Sequence, residues 1–338
     1  MKNIKFSYLL LLGLIFVLVG CGQDQSVEGS GSRNDAENNG NVTLTVASFI
    51  PENSEVVKDI IPMWIEKIES ETDINIEFIG GPESIPADEQ FNSMQNGVHD
   101  ISFIASSFYG HIMPEASSLY MSPYTPEEER NNGYFDYIND RFNNHGIEYL
   151  GRFIGNAPFY FWSNNKIETL DDLNGLKFRS NATYHEILDV LGVTPVDIVP
   201  GEVYTSLERN MVDGFGFLLI GPYEDGWTEV TKYLIDEPFL NQNATILISK
   251  DAFSSLDEGT QQLLKELTAE FEQEMLSYFE DKSEEALSNI LEQGVEIINL
   301  LEEDSIRFQE IVDEVYWEKL ENDVPDQVEK IKEIFEVN

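Results

Sequence analysis

Residues 170–214 read LDDLNGLKFRSNATYHEILDVLGVTPVDIVPGEVYTSLERNMVDG, and strands alternate with helices along them. The polar turn Asp171-Asp172-Leu173-Asn174-Gly175 leads into a short strand, Leu176 to Arg179. Apolar residues at helical spacing follow from about Tyr184 to Leu191, then a strand from Pro195 to Val199 and a helix from Gly201 to Arg209. Asp213-Gly214 opens another strand. This order predicts an α/β unit with a parallel sheet, in which ligands are met beyond the carboxyl ends of the strands. Arg179 stands at such an end.

Upstream, the same plan is legible a first time. Val42, Leu44 and Val46 alternate with polar residues as a strand does, and Val56, Val57, Ile60, Ile61, Trp64, Ile65 and Ile68 recur at helical spacing. Ile74, Ile76 and Phe78 form a second alternating run ending in Gly80-Gly81. A third, Ile101 to Ile104, ends in Ala105-Ser106-Ser107-Phe108-Tyr109, which places Ser106 to Tyr109 on the ligand side of that sheet. Downstream of a strand from Ala244 to Ser249, Asp257 to about Gln293 is nearly unbroken helix, with Leu264, Leu267, Phe271, Met275, Phe279 and Ile290 on its apolar side. A helix of roughly thirty residues is about 45 Å long, too long for one small lobe, so it is expected to lie across both units.

Lys2 and Lys5 precede an uncharged apolar stretch from Tyr8 to Val19, the pattern of an export signal. It runs into Leu18-Val19-Gly20-Cys21, which has the form of a lipoprotein cleavage box, and Cys21 is the sole cysteine of the chain. Diacylation there would tether an otherwise soluble protein to the membrane. Gly22 to about Gly40 is polar and almost without apolar residues, the composition of a flexible tether.

The 338 residues carry 63 Asp and Glu against 20 Lys and Arg, a net charge of −43. Loss of the two signal lysines would make it −45. Such a surface repels nucleic acid, whose binding needs a basic stripe. The four histidines are scattered singly, and His99, before Asp100 at a strand start, is expected at the surface. His185-Glu186 lacks the partner histidine of a zinc-protease helix, and acidic runs such as Glu127 to Glu129 lack the glycine-punctuated spacing of a calcium loop. There is no nucleophile elbow, P-loop or spaced dinucleotide fingerprint. No metal, cofactor or catalytic group is expected. Arg179 is the residue that stands out: at a strand's carboxyl end its planar fork can meet a carboxylate in a bidentate pair. Position alone leaves open a surface arginine paired with one of many nearby acids.

The segment Leu170 to Gly214 resembles the signature stretch of the substrate-binding subunits of tripartite ATP-independent periplasmic (TRAP) transporters, the DctP-like family. The order D-L-x-G-L-K-x-R, L-G-x-x-P-V, E-V-Y-x-x-L and V-D-G is the motif. Gln95-Asn96-Gly97, Met113-Pro114-Glu115-Ala116 and Leu256-Asp257 with Gln261-Gln262 agree with it, so the resemblance covers nearly the whole mature chain. It implies a two-lobe α/β fold of the periplasmic-binding-protein kind, with a ligand cleft between the lobes. It also implies that Arg179 clamps the carboxylate of a small organic acid, and that closure of the lobes presents the acid to membrane subunits of the transporter. Two departures bear on the pocket. Phe159, in Ala157 to Trp162, falls about where many members carry a second arginine, and Phe215-Gly216-Phe217 replaces an acid and an asparagine after V-D-G. Aromatic contacts in place of polar ones suggest one carboxylate in an apolar pocket. Core packing explains any single one of these aromatics equally well.

The expected division is 1–20 signal, 21–41 tether, 42–156 with 263–303 as the first lobe, and 157–262 with 304–338 as the second. Ser106, Ser107, Tyr109, Phe159, Trp162, Asn181 and Phe217 are the expected companions of Arg179. An extracytoplasmic, lipid-anchored binding protein is the expected function; a ligand-sensing ectodomain or a secreted hydrolase or lyase on the same plan are the alternatives. Replacing Cys21 by Ser is expected to leave the protein unacylated and released from membranes, as read by fatty-acid labelling and fractionation. A variant that stays lipid-modified would remove the lipoprotein reading.

Overall fold

The computed structural model describes residues 42–155 and 157–336. Cys21 and the segments 1–20 and 21–41 lie outside the described residues. Eleven strands follow one another: β1 (Val42–Ser48), β2 (Ile74–Gly80), β3 (Ile101–Ala105), β4 (Ile147–Ile154), β5 (Pro158–Ser163), β6 (Lys177–Ser180), β7 (Thr194–Asp197), β8 (Gly214–Phe217), β9 (Tyr233–Asn241), β10 (Ala244–Ser249) and β11 (Glu296–Ile298). They form two sheets, ordered β2-β1-β3-β10-β4 and β11-β9-β5-β8-β6-β7. These are the cores of the two expected lobes.

In the first sheet β1 runs parallel to β2 and β3, joined by the helices Glu55–Glu71 and Ala87–Gln95. The first helix starts at Ser54, whose side chain accepts from the Val57 N–H at 3.2 Å, the usual role of a serine cap. In the second sheet β6 runs parallel to both β7 and β8, while β5 is antiparallel to β8 and β9. Both parallel trios follow the strand and helix order of the sequence.

The expected lobe boundaries need correction. β10, expected with the second lobe, stands between β3 and β4 in the first sheet, antiparallel to each. All six of its residues are buried, as a strand covered on both faces requires. Conversely β11, expected in the first lobe, pairs with β9 in the second sheet. The C-terminal residues divide as well: Phe308, Val312 and Tyr316 pack in the second-lobe core, while Leu320, Val328, Ile331 and Phe335 pack in the first. The chain therefore crosses between lobes side by side after β4 and before β10, where the Gln242 N–H donates to Ala157 O at 2.9 Å.

The long helix, Glu258–Glu292, lies across both lobes. Its residues Leu264, Leu267, Phe271, Met275 and Phe279 enter the first-lobe core, and Ala286 and Ile290 the second. Buried Glu272 pins it to β4. One carboxylate oxygen accepts the Arg152 N–H at 2.7 Å, the other accepts Arg130 Nε at 3.0 Å, and Arg152 in turn pairs with buried Glu129 at 2.8 Å. Gly151 makes this approach possible, since a Cβ there would lie 2.6 Å from the Glu272 carboxyl carbon.

His99, expected at the surface, is 1% exposed and held between two serines, with Nδ1 3.2 Å from Ser93 Oγ and Nε2 2.6 Å from Ser102 Oγ. Ser93 on the preceding helix and Ser102 on β3 close over it, which no local pattern announces. Burial lowers its pKa to about 4, against the opposing pull of Asp100. The neutral ring is thus favoured by folding. Its contribution is complete above the unfolded value near 6.5 and is lost as pH falls toward 4, a change of about 3 kcal/mol. Urea unfolding of wild type and His99→Gln at pH 7.5 and 4.5 is expected to show the gap between them narrowing in acid; a gap independent of pH would contradict this.

Candidate functional site

Arg179 is the third residue of β6, flanked by Val196 of β7 and Phe215 of β8. Only 4% of it is exposed. Its Nε donates to Ile198 O at 3.0 Å, and Nη1 donates to the Tyr184 hydroxyl at 3.3 Å and to Gly216 O at 3.4 Å. The Phe217 ring lies 5.7 Å from the guanidinium carbon, within cation–π range. Arg130, Arg152 and Arg307 all pair with carboxylates. Among the described residues Arg179 has no such pair, although the chain carries three acids for each base. Asp197, on the neighbouring β7, stands against His185 at 3.3 Å instead.

A guanidinium withdrawn from water is stabilised only in part by neutral carbonyls and a phenol. Its Nη2 has no hydrogen-bond partner among the described residues, so one end of the fork remains able to donate. The surface-arginine alternative is therefore excluded by burial and by the lack of an acid partner. Tyr184, fully buried, has its pKa pushed up to about 12 by desolvation, opposed by Arg179.

The segment that follows Phe217 meets both lobes. Phe217 is followed by Leu218 and Ile220, each packed against both the first-lobe core and second-lobe residues. In the first lobe Phe49 and Phe108 are half-buried at the carboxyl ends of β1 and β3, with rings 5.4 Å apart. The Ser107 N–H donates to the hydroxyl of Tyr120, which packs in the second-lobe core. Thr183 O, beside Tyr184, accepts from the Tyr316 hydroxyl of the C-terminal helix Glu302–Asp323.

The expected companions of Arg179 separate into groups. Phe217 is beside it. Ser106, 2% exposed, begins a single 3-10 turn at the end of β3, and its Oγ has no hydrogen-bond partner; Ser107 is exposed. Asn181 follows β6 directly, but its Oδ1 accepts the Thr183 N–H at 2.9 Å and so shapes the turn toward Tyr184. Phe159 packs beneath the site, 5.5 Å from the Tyr184 ring and 6.0 Å from Phe239. Tyr109 and Trp162 do not line the site. Tyr109 is stacked on Phe91 at 4.8 Å inside the first lobe, its hydroxyl 3.2 Å from Thr245 Oγ1. Trp162 is stacked on Phe215 at 5.4 Å inside the second, its indole donating to Phe217 O. The central strands are covered on both faces, so an aromatic near the end of one has two interiors available to it.

The sequence reading passed over Tyr184, Gly216 and the Ile198 carbonyl. The signal for the first two lies in Gly214-Phe215-Gly216, where bare positions in a strand mark a close approach. Among the described residues no group of His, Cys, Asp and Glu is arranged to hold a metal ion, and no helix is long and apolar enough to cross a membrane.

The model of the bacterial extracellular solute-binding proteins, family 7 (DctP), matches residues 46–323. The chain belongs to this family. It is the one expected from the motif. A monocarboxylate 2-oxoacid-binding periplasmic protein of Nostoc is 26% identical over 168 residues, 48% of this chain and 45% of the relative, so that match spans about half the length of either. An ectoine/5-hydroxyectoine-binding periplasmic protein of Ruegeria pomeroyi is 24% identical over 262 residues, 74% of this chain and 77% of the relative. In fold, the chain is similar to a TRAP periplasmic solute-binding protein of Desulfovibrio salexigens solved with bound orotic acid, with a TM-score of 0.76, 20% identity, and coverage of 87% of this chain and 97% of that one.

Proposed function

We propose that this family-7 protein captures a small organic monocarboxylate on Arg179, closes its lobes over it, and delivers it to the membrane subunits of a TRAP transporter. The observation that carries the reading is the buried guanidinium of Arg179, held by neutral groups and left without a carboxylate in a strongly acidic chain. A ligand carboxylate completes its hydrogen bonding. The Phe217 ring beside the guanidinium and the apolar Leu218 that follows it favour a ligand with a single carboxylate and an apolar or planar body. Orotate and the 2-oxo monocarboxylates named for two of these relatives each carry one carboxylate, which is consistent with this class. Closure flexes the two chain crossings, the shared helix and the helix Glu302–Asp323, whose residues also divide between the lobes, and it involves no covalent step. Cys21 supplies the anchor that keeps the protein outside the cell and close to its membrane partners.

A thermal-shift screen of monocarboxylates identifies the ligand, because a compound that binds only the folded state raises the melting temperature. Calorimetry then tests the clamp. Arg179→Ala is expected to weaken binding by about 3–5 kcal/mol, since it leaves a buried carboxylate unpaired. Arg179→Lys is expected to recover part of this, keeping the charge and losing the planar fork. Unchanged binding by folded Arg179→Ala would remove the reading.

A further inference from the structure

Tyr184 connects the arginine to the strand beside it. Its hydroxyl donates to Gly216 O at 2.6 Å and accepts from Arg179 Nη1 at 3.3 Å, so its proton and a lone pair are both engaged. With a pKa near 12 it keeps that proton at any working pH. The ring is fixed independently of its hydroxyl, with Phe159, Phe161 and Phe239 around it at 5.5, 6.1 and 5.8 Å. Room for it depends on position 216. A Cβ on Gly216 would lie 2.7 Å from two ring carbons and 2.9 Å from the hydroxyl oxygen. Tyr184 and Gly216 are thus a matched pair.

We propose that Tyr184 is a positioning residue for ligand binding: with Gly216 opposite, its hydroxyl holds Arg179 Nη1 and turns the Nη2 end of the guanidinium toward the ligand carboxylate. The proposal rests on the reading of Arg179 as the carboxylate clamp. Ile198 O fixes Nε, and Tyr184 with Gly216 O fixes Nη1. Two anchored nitrogens define the plane of the fork and leave the third as a free donor of fixed direction. A fork oriented before the ligand arrives loses less freedom on binding, which is the advantage of arginine over lysine at such a site.

Tyr184→Phe deletes the hydroxyl and keeps the ring among its aromatic neighbours. Binding of orotate, pyroglutamate and 4-methyl-2-oxopentanoate, each beside its methyl ester, is measured by calorimetry on wild type, Tyr184→Phe, Arg179→Ala and the double variant. The best-bound acid is expected to weaken about tenfold in Tyr184→Phe, the loss of one orienting hydrogen bond, while its ester is unaffected. In the Arg179→Ala background Tyr184→Phe is expected to cost nothing further. Spectra of nitrogen-labelled side chains give a second readout that needs no ligand: separate Nη proton signals for Arg179 in wild type, merged by free rotation in Tyr184→Phe. Equal weakening of acid and ester, an undiminished penalty without Arg179, or unchanged Nη signals would each overturn the positioning role. Unchanged acid binding in Arg179→Ala alone would instead overturn the clamp, so the two failures are distinct.

Discussion

The helix Glu258–Glu292 is the constraint on which the rest of the molecule depends. Thirty-five residues at 1.5 Å each make a rod of about 52 Å, and its apolar side is divided between two cores. Neither lobe can bury its share unless the helix stays in place. Glu272 supplies the fixed point, because a carboxylate buried against the Arg152 N–H and the Arg130 guanidinium is costly to detach from either. The bare Gly151 backbone is what lets the helix come this near. The chain also joins the lobes at the paired crossings after β4 and before β10 and within the helix Glu302–Asp323.

Charge is handled in opposite ways at the two buried arginine sites. Around Glu272 and Glu129, arginines and carboxylates neutralise one another inside the first lobe, and the result is structural. At Arg179 the protein supplies carbonyls, a phenol and an aromatic face, and withholds the acid. In a chain of net charge −43 this is a specific arrangement. A buried cation without a counterion favours an anion, which is the physical basis of the proposed carboxylate site.

The aromatic residues of the second lobe build one continuous support for this arrangement. Phe161, Phe178, Phe239 and Phe308 pack against one another beneath Tyr184, and Phe215, Trp162 and Trp227 pack on the other side of the sheet. Phe159 joins this support as a neighbour of Tyr184.

What the sequence by itself determined is what chain-local patterns encode. Periodicity gave the strand and helix order of both parallel trios, the long helix from Asp257 to about Gln293 with its apolar side, and Arg179 at a strand's carboxyl end; the motif from Leu170 to Gly214 identified the family. The tertiary structure alone decided which partner covers each face. It put β10 into the first sheet and β11 into the second, because antiparallel and edge pairings join residues far apart in the chain. It closed Ser93 and Ser102 around His99, turned Tyr109 and Trp162 into two separate interiors, and brought Tyr184 and Gly216 together at Arg179. A periodic pattern states that a face must be buried; it carries no information about what lies on the other side, and that is fixed only when distant segments compete to fill the same space.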